Sequence, residues 1–474
     1  MDATRQATRL EAITGRFDPW LLGLIGALLC LGVVMVGSSS VAQATSPTYY
    51  LAKHLVFLAA GGIAAAWVMR TELKTVERYA QWLPIIGLVL LLMVAIPGLG
   101  VTVKGARRWI NLGITNFQPV EAVKLMVVVW LAAYLKRFSE EVSASWKAII
   151  KVIGVACAFA GVLLIVQKDF GSSALILALT AAMLVLGGAH LPRLITPIVA
   201  LLPFLGAMIL LEPYRVRRLT SFTDPFKDPF GDGYQLANAL MAVGRGEWFG
   251  AGLGASVHKL SYLPEAHTDF IMAVIAEELG FVGVCLVVAL YAGLVARALW
   301  VGLKCVEMRR HFAGYCAFGI ALWIGIQSTV SIGVNLGILP TKGLTLPLIS
   351  YGGSSIAMTM AAMGLLLRIS YELERARRQV ALRRDAFGGS PSAPSGAPVP
   401  PSPSPRAATA APVVTPIAAA TRQDPRGTSR VSIPPSAPSQ ATGTPRACSA
   451  AATDSPGKMC PPVPPARIST GCSR

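Results

Sequence analysis

Residues 20–36 read WLLGLIGALLCLGVVMV, a run without a single charged side chain. A helix needs roughly 20 mostly apolar residues to cross the ~30 Å hydrocarbon core of a bilayer, and this run with its flanks meets that length. Similar runs recur along the 474 residues, of which 54% are hydrophobic and only 14% charged. Because soluble domains carry about 25% charged residues, the composition indicates a membrane protein with several spans.

The apolar runs predict an all-α polytopic membrane protein with about ten transmembrane helices. The eighth run is either one long helix or a broken one. The predicted spans are Trp20–Val36, Leu55–Met69, Trp82–Ile96, Pro119–Tyr134, Ile149–Val166, Ser172–Gly188, Leu194–Leu211, Phe270–Leu299, Phe312–Leu336 and Ser354–Ile369. The predicted organisation is a cytoplasmic amino-terminal segment (1–19), a ten-helix membrane domain (20–370) with a large outer loop (212–269), a basic juxtamembrane segment (371–384) and a tail (385–474).

The positive charges predict the orientation. Lys and Arg concentrate in alternate connections, so the positive-inside rule places both termini in the cytoplasm. Two outer segments break that rule, namely Lys104–Trp109 and Tyr214–Arg218, each with two or more basic residues. Positive charge on the outer face fits either an anionic ligand or contact with lipid headgroups, and charge alone does not separate the two.

Three further features restrict the class of protein. The net charge of +18 comes mostly from residues that flank membrane helices, which favours anionic lipid over nucleic acid as their partner. The eight cysteines show no spacing typical of a metal site or a disulfide framework. From Asp385 onward Pro, Ala, Ser, Thr and Gly dominate, which predicts a disordered cytoplasmic tail.

The outer loop between the seventh and eighth spans predicts a functional surface. It mixes aromatic side chains with Arg, Lys and Asp, and loops of this length are usually functional or disordered. It ends at Asp269, at the edge of the eighth span. A carboxylate at a low-dielectric edge can have a raised pKa, which suits a general base. The alternative is that Asp269 is an acid at a helix N-terminus, with Thr268 as the cap.

Other polar groups at the membrane edge are candidates because charge is costly there. Glu121 and Lys124 lie three residues apart, on one helix face; they form either a self-satisfied ion pair or part of a ligand cavity. Asp169 belongs to a very short connection and serves either the turn or the chemistry. Lys342 lies in a Gly- and Pro-rich segment that predicts a re-entrant turn sheltered by protein, and its charge suits a phosphate.

Several longer motifs carry a family resemblance. They are Gly105–Gly113 with Arg107, Arg108 and Trp109, Pro119–Lys124, Asp169–Gly171, Asp224–Gln235, Leu263–Ile271 and Gly343–Ser354. In this order, over roughly residues 15–375, the chain resembles the SEDS (shape, elongation, division, sporulation) proteins of bacterial wall synthesis. It is more similar to the cell-division branch than to the elongation branch. It departs from the pattern at Lys168, where Pro is common.

The resemblance implies a peptidoglycan glycosyltransferase that polymerises lipid II at the outer face of the inner membrane, at the division septum. It implies that Asp269 is the base, and we assign diphosphate binding to Arg107, Arg108, Lys124, Lys342 and His267. Glu121 would hold a divalent cation, Mg²⁺ or Mn²⁺, and Asp169 would line the cavity. The implied partners are a class B penicillin-binding protein (the septal transpeptidase) and other divisome proteins. The alternatives are a lipid II flippase, which the buried Glu277 and Glu278 would suit, and a non-enzymatic division scaffold.

Overall fold

The computed structural model describes residues 15–41, 48–103, 105–113, 115–211, 213–231, 233–260, 262–340 and 343–388. All of these residues belong to one structural unit. The predicted disordered tail, 385–474, begins inside the last helix, which ends at Gly388, so its first four residues are helical. From residue 389 onward it lies outside the described residues, and so do Lys104 and Lys342. The predictions made for the tail and for Lys342 therefore stay predictions.

Helices make up most of the described chain. In chain order they are α1 (Pro19–Ser39), α2 (Tyr49–Arg70), α3 (Leu73–Tyr79), α4 (Leu83–Leu92), α5 (Pro119–Arg137), α6 (Ser139–Ala144), α7 (Trp146–Ile165), α8 (Phe170–Leu186), α9 (Leu191–Leu210), α10 (Pro213–Thr223), α11 (Tyr234–Gly246), α12 (Ile271–Glu307), α13 (His311–Asn335) and α14 (Gly353–Gly388). Short 3₁₀ turns, Ala80–Trp82 and Met93–Ala95, flank α4.

The chain is a multi-pass membrane protein. Among the described residues, seven helical segments are long and apolar enough to cross a bilayer, and α8 is apolar but shorter. Each of the ten predicted spans overlaps a helix of the structure, although not every one of these helices is long. Because length and hydropathy select seven of them, the number of ten crossings stays a prediction. We call the end of the bundle that carries Asp269 the outer end.

Local sequence explains where several helices begin. Asp18 caps α1, since its Oδ1 accepts hydrogen bonds from the backbone N–H groups of Trp20 (3.0 Å) and Leu21 (3.3 Å), and Pro19 suits the first helical position. The other oxygen of Asp18 forms an ion pair with Arg297 at 2.8 Å. One carboxylate thus starts α1 and ties it to α12.

Small residues let α2 and α14 pack closely side by side. A Cβ on Gly61 would lie 3.1 Å from Met360, and a Cβ on Gly364 would lie 2.6 Å from the carbonyl oxygen of Ala65. The order of these contacts shows that the two helices run parallel. Membrane helices commonly associate through such small residues, because lipid provides no hydrophobic drive for their association.

Helix α12 is broken at Gly280, which has φ 67° and ψ −164°. The break frees two N–H groups and two carbonyls, and the segment 247–252 satisfies all four. Phe281 and Val282 donate to the carbonyls of Glu247 and Trp248, while Ala251 and Gly252 donate to the carbonyls of Glu277 and Glu278. The eighth predicted span is therefore a broken helix, and the backbone groups at the break form hydrogen bonds with the outer loop.

Two features extend the sequence prediction. A three-stranded antiparallel sheet, β1 (Gly100–Val103), β2 (Ala106–Asn111) and β3 (Asn116–Phe117), lies between α4 and α5, where the all-α prediction had only a loop. The outer loop itself contains α10 and α11, so much of it is helical. Its remainder, up to Phe270, consists of turns with buried side chains such as Leu263 and Ala266.

Candidate functional site

The connection between α13 and α14 forms one wall of the site, through its residues Gly343, Leu344 and Thr345, which we call the 343–345 segment. The carboxylate of Asp269 packs directly on this segment, since a Cβ on Gly343 would lie 2.8 Å from Asp269 Oδ2. Asp269 is half-buried at the end of the outer loop. A larger residue at position 343 would displace the carboxylate.

The next two residues of the segment reach the other candidate groups. A Cβ on Gly171 would lie 3.7 Å from Leu344 Cγ and 3.7 Å from Asp169 Oδ1. The carbonyl of Thr345 accepts a hydrogen bond from Gln327 Nε2 at 2.8 Å. Three extended residues span at most roughly 10 Å. The structure therefore brings the surroundings of Asp269, Asp169 and Gln327 together along one short segment.

Gln327 connects this wall to the buried pair of α5. Lys124 is fully buried, and its Nζ contacts Glu121 Oε1 at 2.9 Å, Glu121 Oε2 at 2.8 Å and Gln327 Oε1 at 2.9 Å. The ammonium also lies 5.2 Å from the ring centroid of Trp323. The two charges thus pair within the bundle, as in the ion-pair interpretation, although Glu121 Oε2 accepts no hydrogen bond. The pair also touches the site wall through Gln327.

A divalent cation does not fit at Glu121 as these side chains stand. The Lys124 ammonium contacts both carboxylate oxygens of Glu121 and so takes the place that a cation would need. Within the described residues, no group of three or more His, Cys, Asp or Glu side chains is arranged to hold a metal ion. The Mg²⁺ or Mn²⁺ ion stays a prediction without an assigned ligand set.

The side chains of Asp169 and of the two arginines in β2 form hydrogen bonds with backbone groups. Asp169 caps α8, accepting from the backbone N–H of Ser172 at 3.2 Å and from its hydroxyl at 2.8 Å, which supports the turn interpretation. Arg108 donates to the carbonyls of Gln167 (3.0 Å) and Lys168 (2.7 Å), beside that cap. Arg107 donates to three carbonyls near the start of its own sheet. Their role as diphosphate ligands stays a prediction.

His267 lies in an aromatic cluster that borders Asp269. Its ring centroid is 4.4 Å from that of Tyr50 and 5.4 Å from that of Tyr351, and its carbonyl accepts from the backbone N–H of Tyr351. Burial raises the pKa of Tyr351 to about 12. The cluster joins α2, the outer loop and the connection before α14 at one point.

The observed geometry does not match the alternative in which Asp269 is an acid at a helix N-terminus and Thr268 is the cap of that helix. Helix α12 begins at Ile271, and its cap position, Phe270, supplies no side-chain hydrogen bond. Thr268 Oγ1 instead donates to Glu265, at 2.8 Å to Oε2. What fixes the start of α12 is a residue that sequence reasoning missed, Asn335, the last residue of α13.

Asn335 forms hydrogen bonds with backbone groups just before and just after the first residue of α12. It is fully buried; its Nδ2 donates to the carbonyl of Asp269 at 2.9 Å, and its Oδ1 accepts from the N–H of Ala273 at 3.1 Å. The sequence does contain one signal for this residue: Asn335 is an amide at the end of an apolar span, where burying a polar group costs free energy. Asn335 is therefore a positioning residue for the Asp269 backbone.

Replacing Asn335 by Leu is expected to lower turnover more than it raises the KM. The carbonyl of Asp269 loses its hydrogen bond from Asn335, and an unpaired buried backbone group costs about 1–3 kcal/mol. The N–H of Ala273 keeps its bond to the carbonyl of Phe270, so the loss falls on Asp269, which loses its fixed place. Steady-state kinetics of the purified protein would measure the two parameters. The matched control is Ser328→Ala on the same helix, whose hydroxyl bonds only carbonyls of α13. Equal turnover in all three proteins would contradict the positioning role.

A second buried polar network fastens the outer loop to α12. Glu277 accepts hydrogen bonds from the Ser256 hydroxyl and the Val257 N–H, and it pairs with Arg245 and His258. Glu278 pairs with Lys259 at 2.7 Å and accepts from Ser38 of α1. Both acids, whose role the sequence left open, are neutralised by loop residues next to the Gly280 break.

Comparisons with known proteins converge on one family. The profile of the FtsW/RodA/SpoVE family, described as cell cycle proteins, matches residues 19–375. A probable peptidoglycan glycosyltransferase FtsW from Xanthomonas oryzae pv. oryzae is 63% identical over 377 residues, covering 80% of this chain and 77% of the relative. A relative of the same name from Aliivibrio salmonicida is 46% identical and covers 75% of this chain and 89% of its own length.

Two solved structures share the fold. One, described under the words "Structural coordination of polymerization and crosslinking by a peptidoglycan synthase complex", has a TM-score of 0.63 and 30% identity, covering 75% of this chain and 98% of the other. The other, the rod shape determining protein RodA of Thermus thermophilus, has a TM-score of 0.56 and 28% identity, covering 75% and 96%.

Proposed function

The chain belongs to the FtsW/RodA/SpoVE family of cell cycle proteins, and on that premise we propose that it is a peptidoglycan glycosyltransferase of cell division. The relatives named FtsW match most of this chain at 45–63% identity in the first two cases, which supports both the activity and the division branch. The substrate that we propose is lipid II, polymerised into glycan strands.

One observation carries the assignment of the site: the carboxylate of Asp269, the cap of α8 and the Lys124 network all meet along the 343–345 segment. A half-buried carboxylate with fixed backbone, connected through the 343–345 segment and Gln327 to the buried Lys124, suits a group that must take a proton next to an anionic leaving group. Neighbouring cations at a developing diphosphate provide electrostatic stabilisation.

The proposed mechanism is an inverting transfer. Asp269 accepts the proton of the sugar 4-hydroxyl of one lipid II molecule as that oxygen attacks the anomeric carbon of the growing strand. The bond between that carbon and undecaprenyl diphosphate breaks, and the diphosphate leaves with the electron pair. Lys342 and Lys124, with Arg107 and Arg108, are the proposed source of positive charge, and the bonds that Arg107 and Arg108 already make to backbone restrict how far they can move.

We propose that the partner is a class B penicillin-binding protein that binds over the outer loop. The similarity to a peptidoglycan synthase complex supports a partner of this general kind. Multiple apolar helices support the membrane location. Residence at the septum, cytoplasmic termini and contacts with other divisome proteins are parts of the same proposal.

The flippase alternative loses its main argument. It depended on Glu277 and Glu278 as polar groups along a transport path. Both carboxylates instead bind residues of the outer loop and α1, which gives them a structural task at the outer end. The scaffold alternative does not account for Asp269 packed on Gly343.

The proposal is tested by incubating the purified full chain and its penicillin-binding partner with lipid II and resolving the products by gel electrophoresis. We expect glycan polymer. In parallel, liposomes that carry labelled lipid II would report its transfer between leaflets. Transfer without polymer, under conditions in which a control polymerase works, would favour the flippase, and neither polymer nor transfer would favour the scaffold.

A further inference from the structure

One cavity among the described residues lies far from Asp269, at the opposite end of the bundle. It has a volume of about 540 Å³ and is formed between α3, the turn that follows it and the last two turns of α5, a size typical of small-molecule sites. Glu121 and Lys136 lie fifteen positions apart on α5, so about 22 Å of helix separates this cavity from the site. We call it the inner cavity.

Basic side chains surround the inner cavity. Lys74, Arg78, Lys136 and Arg137 line it, against a single acidic side chain, Glu77. Glu77 pairs with Lys136. In the part of the chain that the structure describes, the side chains of Lys74 and Arg78 make no ion pair or hydrogen bond. Lys74 and Arg78, one helical turn apart, therefore present uncompensated positive charge to whatever fills the cavity.

The opposite wall is aromatic. Trp130, Tyr134 and Phe138 follow one another at four-residue spacing along α5, with ring centroids 5.8 Å and 4.8 Å apart, and all three line the cavity. Arg137 lies over the ring of Phe138, at 5.3 Å. Trp and Tyr side chains favour the membrane–water interface, because one part of each ring system is apolar and another polar.

An apolar surface continues from the cavity toward the outer end. On α4 and the turn before it, Trp82 is 54% exposed, Ile86 is 49% exposed and Val89 is 53% exposed. These side chains face the hydrocarbon in a membrane protein. A ligand with a charged head in the cavity and a long apolar chain would lie along this surface, whereas a free anion would use only the basic rim.

We infer that the inner cavity binds an anionic glycerophospholipid of the cytoplasmic leaflet. Its phosphate would lie between Lys74, Arg78 and Arg137, and an acyl chain would follow Trp130 and the exposed face of α4. Basic pockets between membrane helices on the cytoplasmic side are a known mode of lipid-headgroup recognition. The inference rests on the membrane fold and does not depend on the transferase function.

Native mass spectrometry of the delipidated full chain in detergent tests this inference. The probes are phosphatidylglycerol and phosphatidylcholine with identical acyl chains. We expect wild type to retain phosphatidylglycerol at least tenfold more strongly, and the double variant Arg78→Gln/Arg137→Gln to lose about tenfold or more of that affinity, since each basic residue contributes appreciably near a charged headgroup.

The matched control is Lys304→Gln/Arg309→Gln, which removes the same number of formal charges from the last turn of α12 and from the connection that follows it, outside the cavity. This variant should retain wild-type affinity. Equal loss in both double variants would overturn the inference, because it would show a general charge effect. Preferential binding of undecaprenyl diphosphate, or full competition by inorganic phosphate at the concentration of the lipid, would also overturn it in favour of another anion.

Discussion

Replacing Asp269 by Asn is expected to reduce glycan polymerisation by about 10²- to 10⁴-fold, the usual contribution of a general base. The amide has nearly the same shape and can keep its place on Gly343, but it cannot accept the proton of the attacking hydroxyl. The rate of polymer formation from lipid II, with the penicillin-binding partner present, measures the effect.

Two companion variants make the result specific to this carboxylate. Asp224→Asn removes an exposed carboxylate from the same outer loop and should leave the rate unchanged. Asp269→Glu keeps the charge but adds a methylene where the carboxylate packs on Gly343, so it should retain a small part of the activity. Equal polymerisation by wild type and Asp269→Asn, with both proteins folded and bound to the partner, would remove Asp269 as the base.

Replacing Lys124 by Met is expected to lower the free energy of unfolding by about 3–5 kcal/mol, because it leaves Glu121 as an uncompensated buried charge. Met has a similar length and keeps the packing against Trp323. Gln327 Oε1 still accepts from Trp323 Nε1 at 2.8 Å, so the loss falls mainly on Glu121. Thermal unfolding in detergent, followed by loss of monodisperse protein, would show a lower midpoint.

The double variant Glu121→Gln/Lys124→Met separates structure from chemistry. With both charges removed, most of the stability should return, since a buried ion pair replaced by neutral groups is often nearly neutral in free energy. If stability returns but polymerisation does not, the charged pair Glu121–Lys124 contributes to the reaction as well as to the fold. A stable single variant Lys124→Met would contradict the buried-charge argument.

Sequence reasoning located the helices because apolar runs of this length allow few other structures in lipid. It missed the sheet at Gly100–Phe117, whose strands are short and of which β2 carries two charged residues, Arg107 and Arg108. It also left the form of the eighth span open, because a single glycine such as Gly280 is common in membrane helices. The break became visible only when the segment 247–252 was seen to fill it.

The candidate site was predicted in part. Asp269, Lys124 and Asp169 were selected as costly polar groups at the membrane edge, and the structure brings their surroundings together. Asn335 and Gln327 were not selected, because a single amide in an apolar run gives no sign of its partners. Arg107 and Arg108 were selected for their charge, and only tertiary structure reveals that they hold carbonyls.

The break at Gly280 also bears on how the protein is made. The first nine residues of α12 cannot complete their hydrogen bonding with the rest of that helix, and unpaired backbone groups are costly in hydrocarbon. Their partners, residues 247–252, precede α12 in the sequence and are therefore synthesised before it. Biosynthesis thus supplies the template before the segment that needs it, and the order of translation matches the order in which these backbone groups must pair.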